Sequence, residues 1–150
     1  MLGGMRFDEL PHNWPSLPLD DGPLAAGVID LVLGGGERLN KSLLVLPCND
    51  SDAAIGVPCV ISDVDWSAPS PCRSQALSFL RDLPAPGFVV ALSARRRLPT
   101  HLVSAWLRTT EDVLDDSGQS LLAFGVADLD RVEIVGGRAW RNGSLGAQAG

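Results

Sequence analysis

One apolar run limits the folds open to this chain more than any other feature. Residues Gly87–Ser93 (GFVVALS) are almost continuously apolar, β-branched at the centre and flanked by turn-forming sequence. A strand without polar alternation has no face to present to water, so the run predicts a strand covered on both faces. We therefore expect an α/β domain with helices on both sides of a sheet.

Apolar runs and helical periodicities alternate along the rest of the chain. Further strands are expected at Ser42–Cys48, Val57–Ser62, Leu121–Val126 and Arg131–Val135, the last continuing through a glycine turn to Trp140. Helices are expected between Pro23 and Gly34, at Cys72–Leu83 and at His101–Leu114. This order predicts a mixed, mostly parallel sheet of roughly four to six strands with about three helices. Neighbouring parallel strands are expected across residues 57–92 and 88–126.

Single residues mark the expected ends of these elements. Pro23 suits a first helical position, where no amide hydrogen is needed. Thr100 is placed to cap the helix after the central strand, and Gly118 is placed to end it. Pro58 cannot donate to a ladder, so it should lie at the start of its strand or on an edge.

The chain has 150 residues, the size of one ordinary domain. Prolines interrupt every short apolar run near the start, so residues 1–21 are expected to form an irregular, proline-rich arm. The alternating pattern then predicts a single α/β domain at residues 22–141. The small-residue stretch 142–150 is expected to be a flexible tail.

The charge distribution limits the possible partners. The net charge of −6 argues against general nucleic-acid binding, which needs many cations to displace counterions. Three bases stand against ten acids in residues 1–72, whereas nine arginines stand against eight acids in residues 73–141. This division suits pairing within the chain or between copies of it, and it is equally compatible with no role at all. With the proline-rich arm and the strand-like segment 131–140, we expect a homo-oligomer.

The cysteines and the apolar runs indicate a cytoplasmic protein. Cys48, Cys59 and Cys72 make an odd count, which argues against a disulfide framework. The first residues lack the apolar core of a signal peptide, and no apolar run approaches the ~20 residues of a membrane helix. We therefore expect no membrane contact.

Two carboxylates follow the second predicted strand directly, at Asp63 and Asp65. Proteins of the α/β class bind ligands beyond the carboxyl ends of their strands, and such a pair could hold Mg²⁺ and a phosphate. The haloacid-dehalogenase phosphatases place a pair there, but they also need a downstream lysine, and the single lysine here, Lys41, lies upstream. The alternative is that these aspartates form a turn.

Three consecutive arginines, Arg95–Arg97, follow the central strand. Guanidinium groups at that position could clamp a phosphate or a carboxylate, although exposed charge runs are commonly only solvated. A parallel arrangement would bring the loops after Ser62 and Ser93 to one edge of the sheet. The tentative ligand-binding residues are therefore Asp63, Asp65, Arg95 and Arg96.

Other segments resemble known chemical motifs but do not have the residue spacing that those motifs require. Residues 35–42 (GGERLNKS) imitate a phosphate-binding loop, but they lack its second glycine and follow a helix instead of a strand. The cysteines lack zinc spacing, and neither His12 nor His101 is placed to activate one of them. We therefore predict no catalytic residue, no metal site and no cofactor.

Four short motifs follow one another in a recognisable order. They are Gly34-Gly35-Gly36, Ser42-Leu43-Leu44-Val45-Leu46, the segment Ile61–Trp66, and Ile134-Val135-Gly136-Gly137-Arg138-Ala139-Trp140. In these motifs the chain resembles an actinobacterial family of domains of unknown function. The resemblance covers residues 22–141 and implies an α/β fold, and it brings no activity with it.

Two functions from different classes remain open, beside a third possibility, nucleic-acid binding through Arg95–Arg97, which the net charge disfavours. The first is a non-catalytic α/β domain that acts through protein–protein contacts and self-associates, with the segment 131–140 adding an edge strand to a partner. The alternative is a small-molecule binder or Mg²⁺-dependent enzyme for a phosphorylated or acidic ligand. Its site would be formed by the loops after Ser62 and Ser93.

Overall fold

The computed structural model of the chain describes residues 6–34, 36, 38 and 40–142. The strands are β1 (Leu43–Cys48), β2 (Cys59–Ile61), β3 (Gly87–Ser93), β4 (Ser120–Ala127) and β5 (Val132–Gly136). The helices are α1 (Gly22–Val32), α2 (Ser70–Leu77) and α3 (Thr100–Ser117), with 3-10 turns at Phe7–Glu9, Trp14–Ser16 and Ser78–Asp82. The expected α/β class and mixed sheet are confirmed.

The five strands form one sheet in the order β2-β1-β3-β4-β5. Strand β1 is antiparallel to both β2 and β3, β3 is parallel to β4, and β5 is antiparallel to β4. Strands β2, β3 and β4 therefore run in one direction, although β3 and β4 are the one parallel pair among the described strands. The parallel neighbours expected across 88–126 are confirmed. Those expected across 57–92 are wrong, because β1 lies between β2 and β3.

Every residue of β3 is buried, as its apolar run predicts. One face joins a cluster, the tryptophan core, that contains Phe88, Val90, Leu92, Trp66, Trp106 and neighbouring side chains from α2 and α3. The opposite face joins a second cluster, the α1 core, that contains Val89, Ala91, Leu19, Val28, Ile29 and neighbouring side chains. The sheet is thus covered on both sides, which is what an uninterrupted apolar strand requires.

The arm crosses the α1 core. Leu19 is fully buried, and its N–H donates to the carbonyl of Asp52 over 2.9 Å. Trp14 and Leu17 are partly buried against the same cluster. These contacts attach residues 14–19 to the sheet, while the division of the chain at residue 21 stays a prediction.

Two local expectations are wrong and one is confirmed. Pro99, not Thr100, occupies the N-cap position of α3, while Gly118 ends that helix with a φ of +73°. Residues 137–142 are helical and do not extend the strand to Trp140. Gly137 explains this change, because its φ of +81° lies outside the range of an extended strand. Glycine is needed there, since a Cβ would lie 2.8 Å from the Cα of Ala123. Of the expected tail at 142–150, Asn142 is helical, and residues 143–150 lie outside the described residues.

Candidate functional site

The carboxyl ends of β2, β3 and β4 meet at one edge of the sheet, together with the amino end of β1. Leu43 of β1 is the register partner of both Ile61 and Leu92, and Ser93 is the partner of Ala127. Four loops converge at this edge, at residues 40–42, 62–69, 94–99 and 128–131. The loops after Ser62 and Ser93 therefore share an edge even though β2 and β3 are not neighbours.

A set of hydrogen bonds fixes these loops to the strands. The Oγ of Ser93 accepts from the N–H of Ser42 over 3.1 Å, and the N–H of Ser93 donates to the carbonyl of Ser42 over 2.9 Å. The indole of Trp66 donates to the carbonyl of Ser93 over 3.0 Å. The N–H of Val64 donates to the carbonyl of Lys41 over 2.8 Å. The edge is thus preorganised by hydrogen bonds from both backbone and side-chain groups.

Asp63 and Asp65 shape the turns of the loop between β2 and α2. Both are exposed, and Asp63 adopts a φ of +61°, a left-handed conformation that aspartate tolerates in turns. The carboxylate of Asp65 accepts from the N–H of Ser67 over 2.9 Å, which is an Asx turn. The described residues contain no group of three or more His, Cys, Asp or Glu side chains that could hold a metal ion. The turn interpretation accounts for both aspartates.

Arg95 and Arg96 lie in an open depression of about 660 Å³ at the same edge. Its lining residues are Lys41, Ala94, Arg95, Arg96, Arg97, Leu98 and Leu129. The structure therefore brings together the two arginines singled out from the sequence and adds Lys41, but Asp63 and Asp65 do not line the depression. The sequence did not indicate Lys41, because this residue lies at the edge only as a result of the antiparallel pairing of β1 with β3.

Of the four cations that line this depression, one forms an ion pair and three do not. Arg97 forms a bidentate pair with Glu133, with N–O distances of 3.1 and 2.5 Å. This hydrogen bonding lowers the pKa of Glu133 and raises that of Arg97. Lys41, Arg95 and Arg96 form no ion pair within the part of the chain that the structure describes. Three positive charges are thus left for an outside group.

Arg38 is a buried cation that sequence reasoning missed. Its residue is 6% exposed, and one guanidinium nitrogen forms an ion pair with Asp30 of α1. A second nitrogen donates to the carbonyl of Asp128 over 3.3 Å, while its Nε has no hydrogen-bond partner among the described residues. Arg38 therefore fastens α1 to the turn after β4. Nothing in the polar segment around it distinguishes this residue from a solvated arginine.

Replacing Arg38 by alanine should lower the free energy of unfolding by about 2 kcal/mol, because Asp30 would lose its charged partner in a largely buried site. Urea denaturation monitored by circular dichroism measures the change. The matched control is Arg81→Ala, whose pair with Asp116 spans 3.5 Å at the surface and should contribute less than about 1 kcal/mol. Equal losses in both variants would contradict a fastening role.

The three thiols should differ in reactivity. Burial raises the pKa of Cys48 from 9.0 to about 12, and the negative charge of Asp52 adds to the shift. Cys59 and Cys72 are exposed. A chromogenic disulfide reagent at about pH 8 should therefore label two thiols at once and Cys48 only after unfolding, because the thiolate is the reactive form. Rapid labelling of all three thiols in the native protein would contradict this.

The raised pKa of Cys48 also predicts how stability changes with pH. The folded state holds this proton more tightly than the unfolded state, whose thiol has a pKa near 9.0. The stabilisation is present below that pH and is lost as pH rises from about 9 toward 12. Cys48→Ser should reduce this alkaline decline in urea denaturation. An unchanged decline would assign it to other groups.

Comparison with protein-family models, with curated proteins and with solved structures finds no match for this chain. No helix in the described residues is long and apolar enough to cross a membrane.

Proposed function

We propose that the chain is a non-catalytic α/β domain that acts through protein–protein contacts. The contact surface is the depression at the carboxyl edge of the sheet, called here the cationic face, which consists of Lys41, Arg95, Arg96, Leu98 and Leu129. The observation that carries the proposal is the set of three cations without ion pairs beside Leu129, an apolar side chain that is 45% exposed.

The composition of this surface supports a protein partner. Arginine is enriched in protein–protein interfaces, where its planar group pairs with carboxylates and its stem packs on apolar surface. A local positive surface on a protein of net charge −6 attracts acidic groups, including those on other copies of the chain. Leu98 and Leu129 supply apolar area beside the charges.

The segment 131–140, expected to add an edge strand to a partner, is less suited to that role. Only Val132–Gly136 forms a strand, and the chain is helical from residue 137. Glu133 in this strand pairs with Arg97 and Arg131, and such charges protect an edge against pairing. We therefore assign the contact to the cationic face.

The proposal includes self-association and a cytoplasmic location. Self-association is supported by the charge distribution, because two of the three cations without ion pairs, Arg95 and Arg96, lie in residues 73–141, while ten of the eighteen acids lie in residues 1–72. A reducing compartment is supported by Cys48, Cys59 and Cys72, which are all free thiols.

Sedimentation velocity over a range of concentrations and salt tests the proposal. The wild-type chain should associate at low salt, and the double variant Arg95→Ser/Arg96→Ser should associate at least about tenfold more weakly. The control Arg81→Ser/Arg108→Ser removes the same number of exposed arginines from elsewhere and should leave association unchanged. Equal weakening in both double variants would show a general charge effect and would contradict the assigned surface.

A small anionic ligand is the second candidate for the same face. A volume of about 660 Å³ lies in the range of ligand sites, and two neighbouring arginines suit a phosphate or carboxylate. Mg²⁺ chemistry is not supported, because Asp63 and Asp65 lie outside the depression. A thermal-shift series with inorganic phosphate, pyrophosphate and ATP, each with and without Mg²⁺, tests this candidate. A shift that disappears in Arg95→Ser/Arg96→Ser would favour it, and no shift with any of these anions would remove it.

A further inference from the structure

We infer that the partner at the cationic face is a second copy of this chain, which supplies its exposed acidic turn, Phe7–Glu9. This inference rests on the proposed function and specifies its partner. Each copy places the turn in the depression of the other, so that a two-fold axis relates two equal contacts.

The acidic turn offers the chemistry that the cationic face lacks. Phe7 is 55% exposed, and Asp8 and Glu9 are exposed beside it. Glu9 is used within the turn, where its carboxylate accepts from the N–H of Arg6 over 2.9 Å. The carboxylate of Asp8 has no hydrogen bond or ion pair with the described residues. The turn therefore presents one unused carboxylate next to one exposed aromatic ring.

A chain of contacts connects the turn to the cationic face. The N–H of Phe7 donates to Asp30 over 2.9 Å, and Asp30 pairs with Arg38. Arg38 donates to the carbonyl of Asp128. The next residue, Leu129, donates its N–H to the carbonyl of Arg95 over 3.4 Å. The turn and the depression are thus joined through Arg38, yet their charges form no ion pair with each other inside one chain.

This arrangement fits a second copy better than a different acidic protein. A two-fold interface must be complementary to itself, so one surface has to carry both partners of each contact. Here the contacts through Arg38 connect an acidic turn with an exposed phenylalanine to a cationic depression with an exposed leucine. Two-fold pairing neutralises Asp8 against Arg95 or Arg96 and covers Phe7 with Leu98 and Leu129.

Charge exchange between the two surfaces tests the inference. The turn variant is Asp8→Arg, and the depression variant is Arg95→Glu/Arg96→Glu. Each should associate with itself at least about tenfold more weakly than the wild-type chain, because like charges meet in both contacts. An equimolar mixture should recover association to within about threefold of wild type, since each contact in the mixed dimer then pairs opposite charges. Sedimentation velocity with one variant fluorescently labelled detects the mixed dimer.

The controls separate the inference from the proposed function. Asp112→Arg makes the same charge change on an exposed position of α3 and should neither weaken association nor rescue the depression variant. Circular dichroism should show equal secondary structure in all variants. If the depression variant weakens association and the turn variant does not, the cationic face stands and the acidic turn is rejected. A wild-type chain that stays monomeric at low salt overturns the inference directly.

Discussion

Replacing Trp106 by alanine is expected to lower the free energy of unfolding by about 4 kcal/mol. Its ring is 1% exposed and meets the ring of Trp66 edge to face, with centroids 5.1 Å apart. Its indole N–H also donates to the carbonyl of Trp66 over 2.9 Å. The variant leaves a large cavity and an unpaired buried carbonyl, and both effects act in the same direction.

The loss should extend to the functional edge. Trp66 holds the loop after β2 against the carbonyl of Ser93, so a displaced Trp66 releases the loop that carries Asp63. Urea denaturation measures the stability change, and Trp140→Ala is the matched control, because that ring is 46% exposed. The control should change stability by less than about 1 kcal/mol. A similar small change for Trp106→Ala would mean that the tryptophan core does not organise this side of the sheet.

Replacing Gly137 by alanine is expected to destabilise the fold by about 3 kcal/mol. The residue has a φ of +81°, and a Cβ would meet the backbone Cα and N of Ala123 at 2.8 and 2.9 Å. Neither atom can move without disturbing β4. The turn at Gly137 cannot shift away from β4 to relieve this clash, because Ala139, two residues later, is buried in the α1 core.

Gly118→Ala separates the two causes of this expected loss. Gly118 also has a positive φ, of +73°, but nothing lies within 4 Å of the added Cβ. The backbone strain alone should cost about 1 kcal/mol there. Thermal denaturation of both variants measures the difference. Equal losses would indicate that the contact with Ala123 relaxes and that strain accounts for the whole effect at Gly137.

The layers of the fold could be predicted from the sequence because a continuous apolar run indicates a strand that is buried on both faces. The run Gly87–Ser93 carries no polar side chain that would need water before Ser93, so two covering layers followed. Strand order was harder, because pairing joins residues far apart in the chain. The apolar run Leu43–Cys48 could pair with any neighbour, and its insertion between β2 and β3 depends on nonlocal contacts that no local pattern specifies.

The candidate site was predicted only in part, because some of its residues are brought together by nonlocal contacts. Arg95 and Arg96 follow a strand that the sequence identifies, so their place at the sheet edge could be predicted. Lys41 reaches them through β1, and Arg38 is buried by contacts with Asp30 and Asp128, which are distant in sequence or separated by a loop. The spacing of two aspartates suggested a metal site, but turn formation needs the same residues at the same spacing.

The central claim is that the cationic face is the surface through which this domain contacts its partner. Amide chemical shifts recorded over a dilution series at low salt test it residue by residue. We expect concentration-dependent shifts in residues 94–98 and 128–130 and in Phe7–Glu9, with none in β2. Shifts confined to the exposed edge around Val57 and Ile61, or no shifts at any concentration, would contradict the claim.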